Sequence, residues 1–370
     1  MGDEATEQTD ERIRQADDSI EQTDEAVRQA DEAIDQPRLE AWFVEQVPGA
    51  QPPLSFERIS GGRSNLTYGV TNAAGKRWAV RRPPLGTRLA SAHDVGREAR
   101  IIAALQATEV PVPPLVGLCE DDSVNGAPFY VMDFVEGPVL RSRSEAERAF
   151  DEGERRKIGE RVVDTLVAIH AVDPDQVGLG ELGRKEDYVA RQLRRWHGQW
   201  EKSRTRELPV VDDVHGRLSA RVPKQGTATI VHGDYRLDNL ILSPQGEVAA
   251  VVDWELCTLG DPLADVGLLL VYWSEPGDEF TPLSEAATSA TGFPARDLVR
   301  SRYAELSGRD LSEIDFYVAL GYWKLAIILE GVFARYAAGQ YGKTDEGFHE
   351  FAKAVERLAE AADAAVKRLG

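Results

Sequence analysis

The chain has 370 residues, 42% of them hydrophobic, and a formal net charge of -20. That length can bury a large core, its two cysteines, Cys119 and Cys257, cannot build a disulfide framework, and the acidic balance argues against general binding to nucleic acid or anionic membrane. The N-terminus lacks a basic-then-apolar leader pattern, and apolar runs such as Val266 to Trp273 are too short to cross a bilayer. The expectation is therefore a cytoplasmic protein, monomeric or weakly self-associating.

Residues 1–36 hold thirteen Asp or Glu against three Arg, which is half of the net charge. They contain a tandem repeat, TDERIRQADDSIEQ then TDEAVRQADEAIDQ, that sets Ile13, Ala16, Ile20, Thr23, Val27, Ala30 and Ile34 at heptad spacing. Alanine and threonine bury little surface, so the reading is a solvated helical or partly disordered extension ended by Pro37. Only nine of the 43 basic residues are Lys. That Arg-heavy, acid-rich balance suits a salt-adapted cytoplasm, in which repulsion between carboxylates is screened, and it predicts a halophilic source.

In FERISGGRSNLTYGV, residues 56–70, Gly61 and Gly62 lack side chains that would keep a backbone from phosphate oxygens, and Ser64 and Asn65 add donors. RWAVRR, residues 77–82, alternates as a strand with Ala79 and Arg81 on one face. GREARIIAAL reads as a helix whose stripe is Ile101, Ile102 and Leu105 and which carries Glu98. PFYVMDFVEG, residues 128–137, is an apolar strand ending in a glycine and includes Met132, Asp133 and Val135. Residues 184–206 hold eight Arg or Lys against three Asp or Glu, interleaved with Tyr188, Trp196 and Trp200. Two readings fit this island: a helix packing its tryptophans on the core, or a surface on which Arg191, Arg194, Arg195 and Trp196 grip an anionic acceptor.

The most informative stretch is HGDYRLDNLILSPQGEVAAVVDWE, residues 232–255. Phosphoryl transfer spreads negative charge over oxygens, so it calls for a divalent cation on hard oxygen ligands and a carboxylate to orient the acceptor hydroxyl. Asp234 suits the carboxylate role. Asn239 follows after a short loop, and Asp253 follows an apolar run that reads as a strand, so two loops converge on one metal.

The pattern H-G-D-x4-N, a hairpin, then D-W-E resembles the aminoglycoside phosphotransferase and choline kinase families, relatives of the protein kinases. The resemblance implies an α+β bilobal kinase-like fold: the extension at 1–36, a small antiparallel lobe with one helix at 40–133, a hinge at 134–137 and a helical lobe at 138–370. By resemblance Asp234 is the catalytic base, and Asn239 and Asp253 hold Mg2+. Gly61, Gly62, Ser64 and Asn65 cover the phosphates of ATP, and Ala79 lines the adenine pocket. Arg81 stands where the family usually has Lys, with Glu98 as its partner. Met132 lies behind the adenine, whose edge pairs with the Asp133 carbonyl and the Val135 amide. His232, and Asp265 in GDPLAD, brace the catalytic loop, while Asp261 caps the next helix with Pro262 at its first position. The segments GGRSNLTY, AVRRPPLG, RQLRRWHGQW and HGDYRLDN look closest to the branch fused to some acyl-CoA dehydrogenases, which implies a hydroxyacyl-CoA acceptor. Two other readings stand beside it. One is an aminoglycoside or amino-alcohol kinase, which needs an acidic pocket; the other is a catalytically weak nucleotide-binding regulatory module, kept open by Arg81.

Overall fold

The computed structural model describes residues 34–59, 65–83, 94–278, 280, 282, 286–337 and 348–369. The repeat up to residue 33, and Gly61, Gly62 and Ser64, lie outside the described residues.

The first described helix, α1 (Gln36–Gln46), starts where Asp35 accepts a hydrogen bond from the Arg38 amide and Pro37 occupies the first turn. Pro37, read from sequence as a stop for the preceding segment, thus opens a helix. The fixed φ of proline and its missing N–H are harmless in a first turn, where the amide has no partner within the helix. Leu39 and Phe43, one turn apart, are fully buried, each contributing roughly 1.5–3 kcal/mol of apolar burial.

Five strands follow: β1 (Leu54–Ile59), β2 (Leu66–Asn72), β3 (Arg77–Arg82), β4 (Leu115–Cys119) and β5 (Phe129–Asp133). They form one antiparallel sheet in the order β1-β2-β3-β5-β4. Strand β3 shows why the sheet has two distinct faces. Its alternation sends Trp78 and Val80 into a small core with Leu39, Phe43, Phe129 and Val131, and sends Ala79 into the large core with Tyr130 and Met132. On that second face lies α2 (Val95–Leu105), capped by the Asp94 side chain. Its stripe of Ala99, Ile101, Ile102 and Leu105 is buried, and Glu98 is buried with it.

After two short helices, α3 (Asp122–Asn125) and α4 (Arg143–Ala149), the chain is largely helical: α5 (Glu152–Ala171), α6 (Tyr188–Ser203), α7 (Pro209–Ala220), α8 (Leu263–Tyr272), α9 (Arg296–Ser307), α10 (Ile314–Ala337) and α11 (Phe348–Lys367). Between α7 and α8 lie two small antiparallel pairs, β6 (Thr229–Val231) with β9 (Thr258–Gly260), and β7 (Leu240–Leu242) with β8 (Val248–Val251). A Cβ at Gly137 would lie 1.8 Å from the Leu242 carbonyl oxygen, so only glycine lets the segment after β5 pass this close to β7. Helix α10 is long and apolar enough to cross a membrane by length and composition, a length the apolar runs of the sequence did not suggest. Most of it is buried in the large core, including Phe316, Trp323 and Ile327.

Candidate active site

At the end of β6 the backbone turns through Gly233, whose φ of +86° favours glycine, to deliver Asp234. Asp265, in the first turn of α8, holds that turn by accepting the amides of His232 at 2.7 Å and Gly233 at 2.8 Å. Burial alone would raise the pKa of Asp265. The bonds from His170 and the Gly233 amide, with His232 nearby, outweigh burial and hold it below the usual carboxylate value. His170 itself is anchored at its other nitrogen by the Tyr303 hydroxyl, 2.7 Å away. Nε2 of His232 lies 3.1 Å from the Val252 carbonyl, tying the turn to the segment that carries Asp253. Tyr235, fully buried, donates to the Val162 carbonyl and pins the loop to α5. Asp261 accepts the Leu263 amide at 3.0 Å, while Pro262 sits at the cap position just ahead of α8.

A turn of 3-10 helix, Leu237–Asn239, folds the loop back on itself. Asn239 Nδ2 donates to the Asp234 carbonyl at 2.8 Å and to its carboxylate at 3.1 Å. Nε of Arg236 lies 3.4 Å from the same carboxylate, and its guanidinium stacks 4.9 Å from the Tyr272 ring centroid. The Tyr272 hydroxyl is bonded to Asp234, and burial together with that carboxylate pushes the phenol well above its ordinary pKa. From α10, Lys324 Nζ donates to the Gly233 carbonyl at 3.0 Å.

A second cluster crosses from the sheet. Nη2 of Arg81 on β3 lies 2.5 Å from Asp253 and 3.6 Å from Glu255, while its Nε is 2.9 Å from Glu98. Burial opposes the charge on Arg81, but Glu98, Asp253 and Glu255 hold its pKa above the ordinary arginine value. For Glu98 burial wins, raising its pKa against the pull of Arg81. Tyr130 donates to Glu98 at 3.0 Å, and Asn65 Nδ2 donates to Glu98 at 2.6 Å and to Glu255 at 3.4 Å. Asn65, expected as a phosphate donor, spends its amide nitrogen on this network. Asp253 sits at φ +68°, a left-handed conformation that costs a non-glycine residue energy and turns its carboxylate toward Arg81.

Among the described residues no group of three or more His, Cys, Asp or Glu is placed to hold a metal. Asn239 and Asp253 offer one amide oxygen and one carboxylate. Such a sparse set of hard oxygens suits Mg2+, which keeps waters and takes its remaining ligands from substrate phosphates. Met132 pairs with Ala79 across β5 and β3, and Asp133 and Val135 follow where the chain leaves the sheet. Ala79 and Met132 therefore line the same face as Arg81.

Helix α6 buries Leu193 and Trp200. It also leaves Arg191, Arg194 and Arg195 without an ion pair among the described residues; Arg191 donates instead to the Arg184 carbonyl, and Arg195 lies 5.3 Å from the Trp196 ring. The helix thus meets the packing reading through Leu193 and Trp200, while its guanidinium groups make no ion pair among the described residues. Trp196 lines one pocket with Gly233 of the Asp234 loop, with Lys324 Nζ 5.5 Å over its ring. His197 stacks on His215, with 3.9 Å between ring centroids.

With this geometry in place, the chain was compared with known proteins. Residues 55–304 match the model of the phosphotransferase enzyme family. The chain belongs to that family. The kinase-like fold and the small-molecule kinase class, read first from the motif, follow from this membership.

The phosphotransferase is 33% identical over 90% of its length to acyl-CoA dehydrogenase family member 11 of Gallus gallus, covering 44% of that protein. It is 35% identical over 78% of its length to family member 10 of Mus musculus, covering 27% of that protein. It therefore spans less than half of the curated relatives it matches. A Ralstonia eutropha protein, described as a candidate aminoglycoside phosphotransferase, superposes with a TM-score of 0.78 at 33% identity, covering 91% of this chain and 99% of that one. The GDP complex of aminoglycoside 2'-phosphotransferase IIIa gives a TM-score of 0.59 at 13% identity, covering 88% and 99%, and so shows a shared fold.

Around the Asp234 and Asp253 of this phosphotransferase stand Arg236, Glu255, Tyr130, Tyr272 and Lys324, none of which the sequence reading singled out. Arg236 and Glu255 lie inside the motif and carried a signal in their spacing from Asp234 and Asp253. Tyr130, Tyr272 and Lys324 lie in apolar strands and helices and carried none.

Proposed function

We propose that the chain transfers the terminal phosphoryl group of ATP to a hydroxyl of a small anionic acceptor, of which a hydroxyacyl-CoA is the type. The observation that carries this reading is the meeting of two loops: Asn239 is bonded to Asp234 at 3.1 Å, the Val252 amide donates to the Asn239 carbonyl at 3.0 Å, and Asp253, next in the chain, pairs with Arg81 of the sheet. Asp234 accepts the proton of the acceptor hydroxyl as its oxygen attacks phosphorus. Asn239 keeps that carboxylate in place, and Arg236 supplies fixed positive charge beside it. Mg2+ held by Asn239 and Asp253 would neutralise charge on the phosphates. Arg81, held by Glu98 at 2.9 Å, would meet phosphate oxygens with its planar guanidinium. Solved relatives of this fold carry GDP, or AMP-PNP with hygromycin B, which supports a nucleotide as phosphoryl donor.

The acceptor class rests on charge. The guanidinium groups of α6, which make no ion pair among the described residues, suit phosphate or carboxylate and repel an amino alcohol or aminoglycoside, even though the structural relatives include aminoglycoside phosphotransferases. The names of the curated relatives point the same way, toward acyl-CoA chemistry. A cytoplasm of high salt is the proposed setting for a chain of charge -20. The test is nucleotide consumption with hydroxyacyl-CoA, sugar, amino-alcohol and aminoglycoside acceptors, with mass detection of the product. Phosphorylated hydroxyacyl-CoA supports the reading, and phosphorylation of the cationic acceptors alone overturns it. Nucleotide binding with no transfer to any acceptor favours the regulatory module.

A further inference from the structure

Beside the catalytic loop lies a small pocket lined by Tyr188, Gln192, Trp196, Gly233, Tyr317 and Lys324, among others. Its floor is the backbone that delivers Asp234, and among the described residues that line it Lys324 is the one cation and Asp265 the one carboxylate. We propose that Lys324 selects the acceptor, binding a carbonyl or anionic oxygen next to the reacting hydroxyl and rejecting acceptors that carry an ammonium there. This deepens the anionic-acceptor reading and rests on it.

Lys324 projects from the middle of α10, between the buried Trp323 and Leu325. A methionine of similar length would fill that position without the cost of desolvating a charge, so the ammonium requires a use. It spends one of its three protons on the Gly233 carbonyl at 3.0 Å and lies over the Trp196 ring at 5.5 Å, and it makes no ion pair among the described residues. The Gly233 carbonyl it holds belongs to the residue just before Asp234. Burial lowers its pKa, while Asp234 and Asp265 raise it and Arg195 lowers it further. Two carboxylates, Asp234 and Asp265, and one further cation, Arg195 on α6, thus act on it electrostatically. An incoming carbonyl, carboxylate or phosphate oxygen completes the set, whereas an incoming ammonium meets like charge.

The test compares the parent with Lys324→Gln, which can still donate to Gly233 but carries no charge, and with Lys324→Met, which keeps the volume alone. Kinetics are measured with 3-hydroxybutyryl-CoA and with ethanolamine, alongside the KM for Mg-ATP and thermal unfolding. The expected result is a fall of about tenfold or more in kcat/KM for 3-hydroxybutyryl-CoA, carried by KM. The ethanolamine value should be unchanged or higher, and the Mg-ATP KM should stay within a few-fold of the parent. An equal fall for both acceptors makes Lys324 a brace of the loop and overturns its selecting role while leaving the acceptor class standing. A parent that prefers ethanolamine, or that transfers to neither acceptor, overturns the acceptor class and this inference with it. Failure of both variants to fold makes Lys324 a structural residue and also overturns the proposal.

Discussion

Arg81 on β3 and Asp253 on the loop after β8, 172 positions apart in the chain, meet at 2.5 Å. The same guanidinium binds Glu98 at 2.9 Å and approaches Glu255 at 3.6 Å, so one residue gathers three carboxylates from two parts of the molecule. A lysine ammonium on a single axis cannot reproduce that fork, which gives a physical reason for arginine at this position.

Replacing Arg81 tests this directly. Arg81→Ala leaves Glu98 buried without its cation, and breaking a buried pair in this way costs about 3–5 kcal/mol. Arg81→Lys should lose less stability but raise the nucleotide KM several-fold, because the ammonium meets Glu98 or Asp253 and not both. Urea unfolding of both variants, with nucleotide kinetics for the lysine variant, reads the two effects. An Arg81→Ala loss below about 1 kcal/mol, the value of an exposed pair, would show the network to be solvated.

Asp253→Ala removes one hard oxygen from the proposed Mg2+ set and releases Arg81 from its shortest contact. Nucleotide affinity should fall in the presence of Mg2+ and change little in its absence. Calorimetric titration with and without the metal makes the comparison. An unchanged metal dependence removes Asp253 from the ligand set.

Asp265 makes two backbone bonds and faces His170, so Asp265→Asn keeps the volume but cannot accept from both amides with an unchanged carboxylate. Turnover should drop at least tenfold through displacement of Asp234, with nucleotide affinity near that of the parent. The pH dependence of stability follows from the lowered pKa. A carboxylate held below its unfolded value of about 3.9 stabilises the fold above that pH, and this contribution is lost as pH falls through the lower folded value. The stability gap between parent and Asp265→Asn should therefore narrow in acid below about pH 4. A gap that is constant down to pH 2 contradicts this.

Reversing Arg191 and Arg195 together, by substitution to Glu, should raise the acceptor KM by more than about tenfold with little change in the nucleotide KM. Added salt should weaken the acceptor binding of the parent more than that of the variant. Equal acceptor kinetics in both, with circular dichroism unchanged, would leave α6 as a packing helix.

The loop that carries the candidate site was legible in the sequence because its residues are local: His232, Asp234, Asn239 and Asp253 lie within one hairpin-and-turn unit, and their order survives folding. Strand β3 and Glu98 were legible from alternation and from an apolar stripe. Lys324 and Tyr272 were not, because α10 and α8 are apolar nearly all round and a helix buried on every side has no periodicity to mark one polar residue as special. Helix α1 was missed because Pro37 terminates and initiates helices equally well, and only the burial of Leu39 and Phe43 decides which. The packing of α6 was legible in Leu193 and Trp200, while the lack of an ion pair for its arginines among the described residues depends on which segments fold beside it.

The central claim is that Asp234 is the base of a phosphoryl transfer, and single-turnover transfer by Asp234→Asn measures it most directly. The substitution keeps the shape and the contacts around Asn239 while removing the proton acceptor. Transfer from ATP to the acceptor should fall by about 10²–10⁴-fold, with the affinity for Mg-ATP within a few-fold of the parent. Transfer within a few-fold of the parent, in a variant that folds and binds nucleotide, would contradict the role of Asp234 and the account built on it.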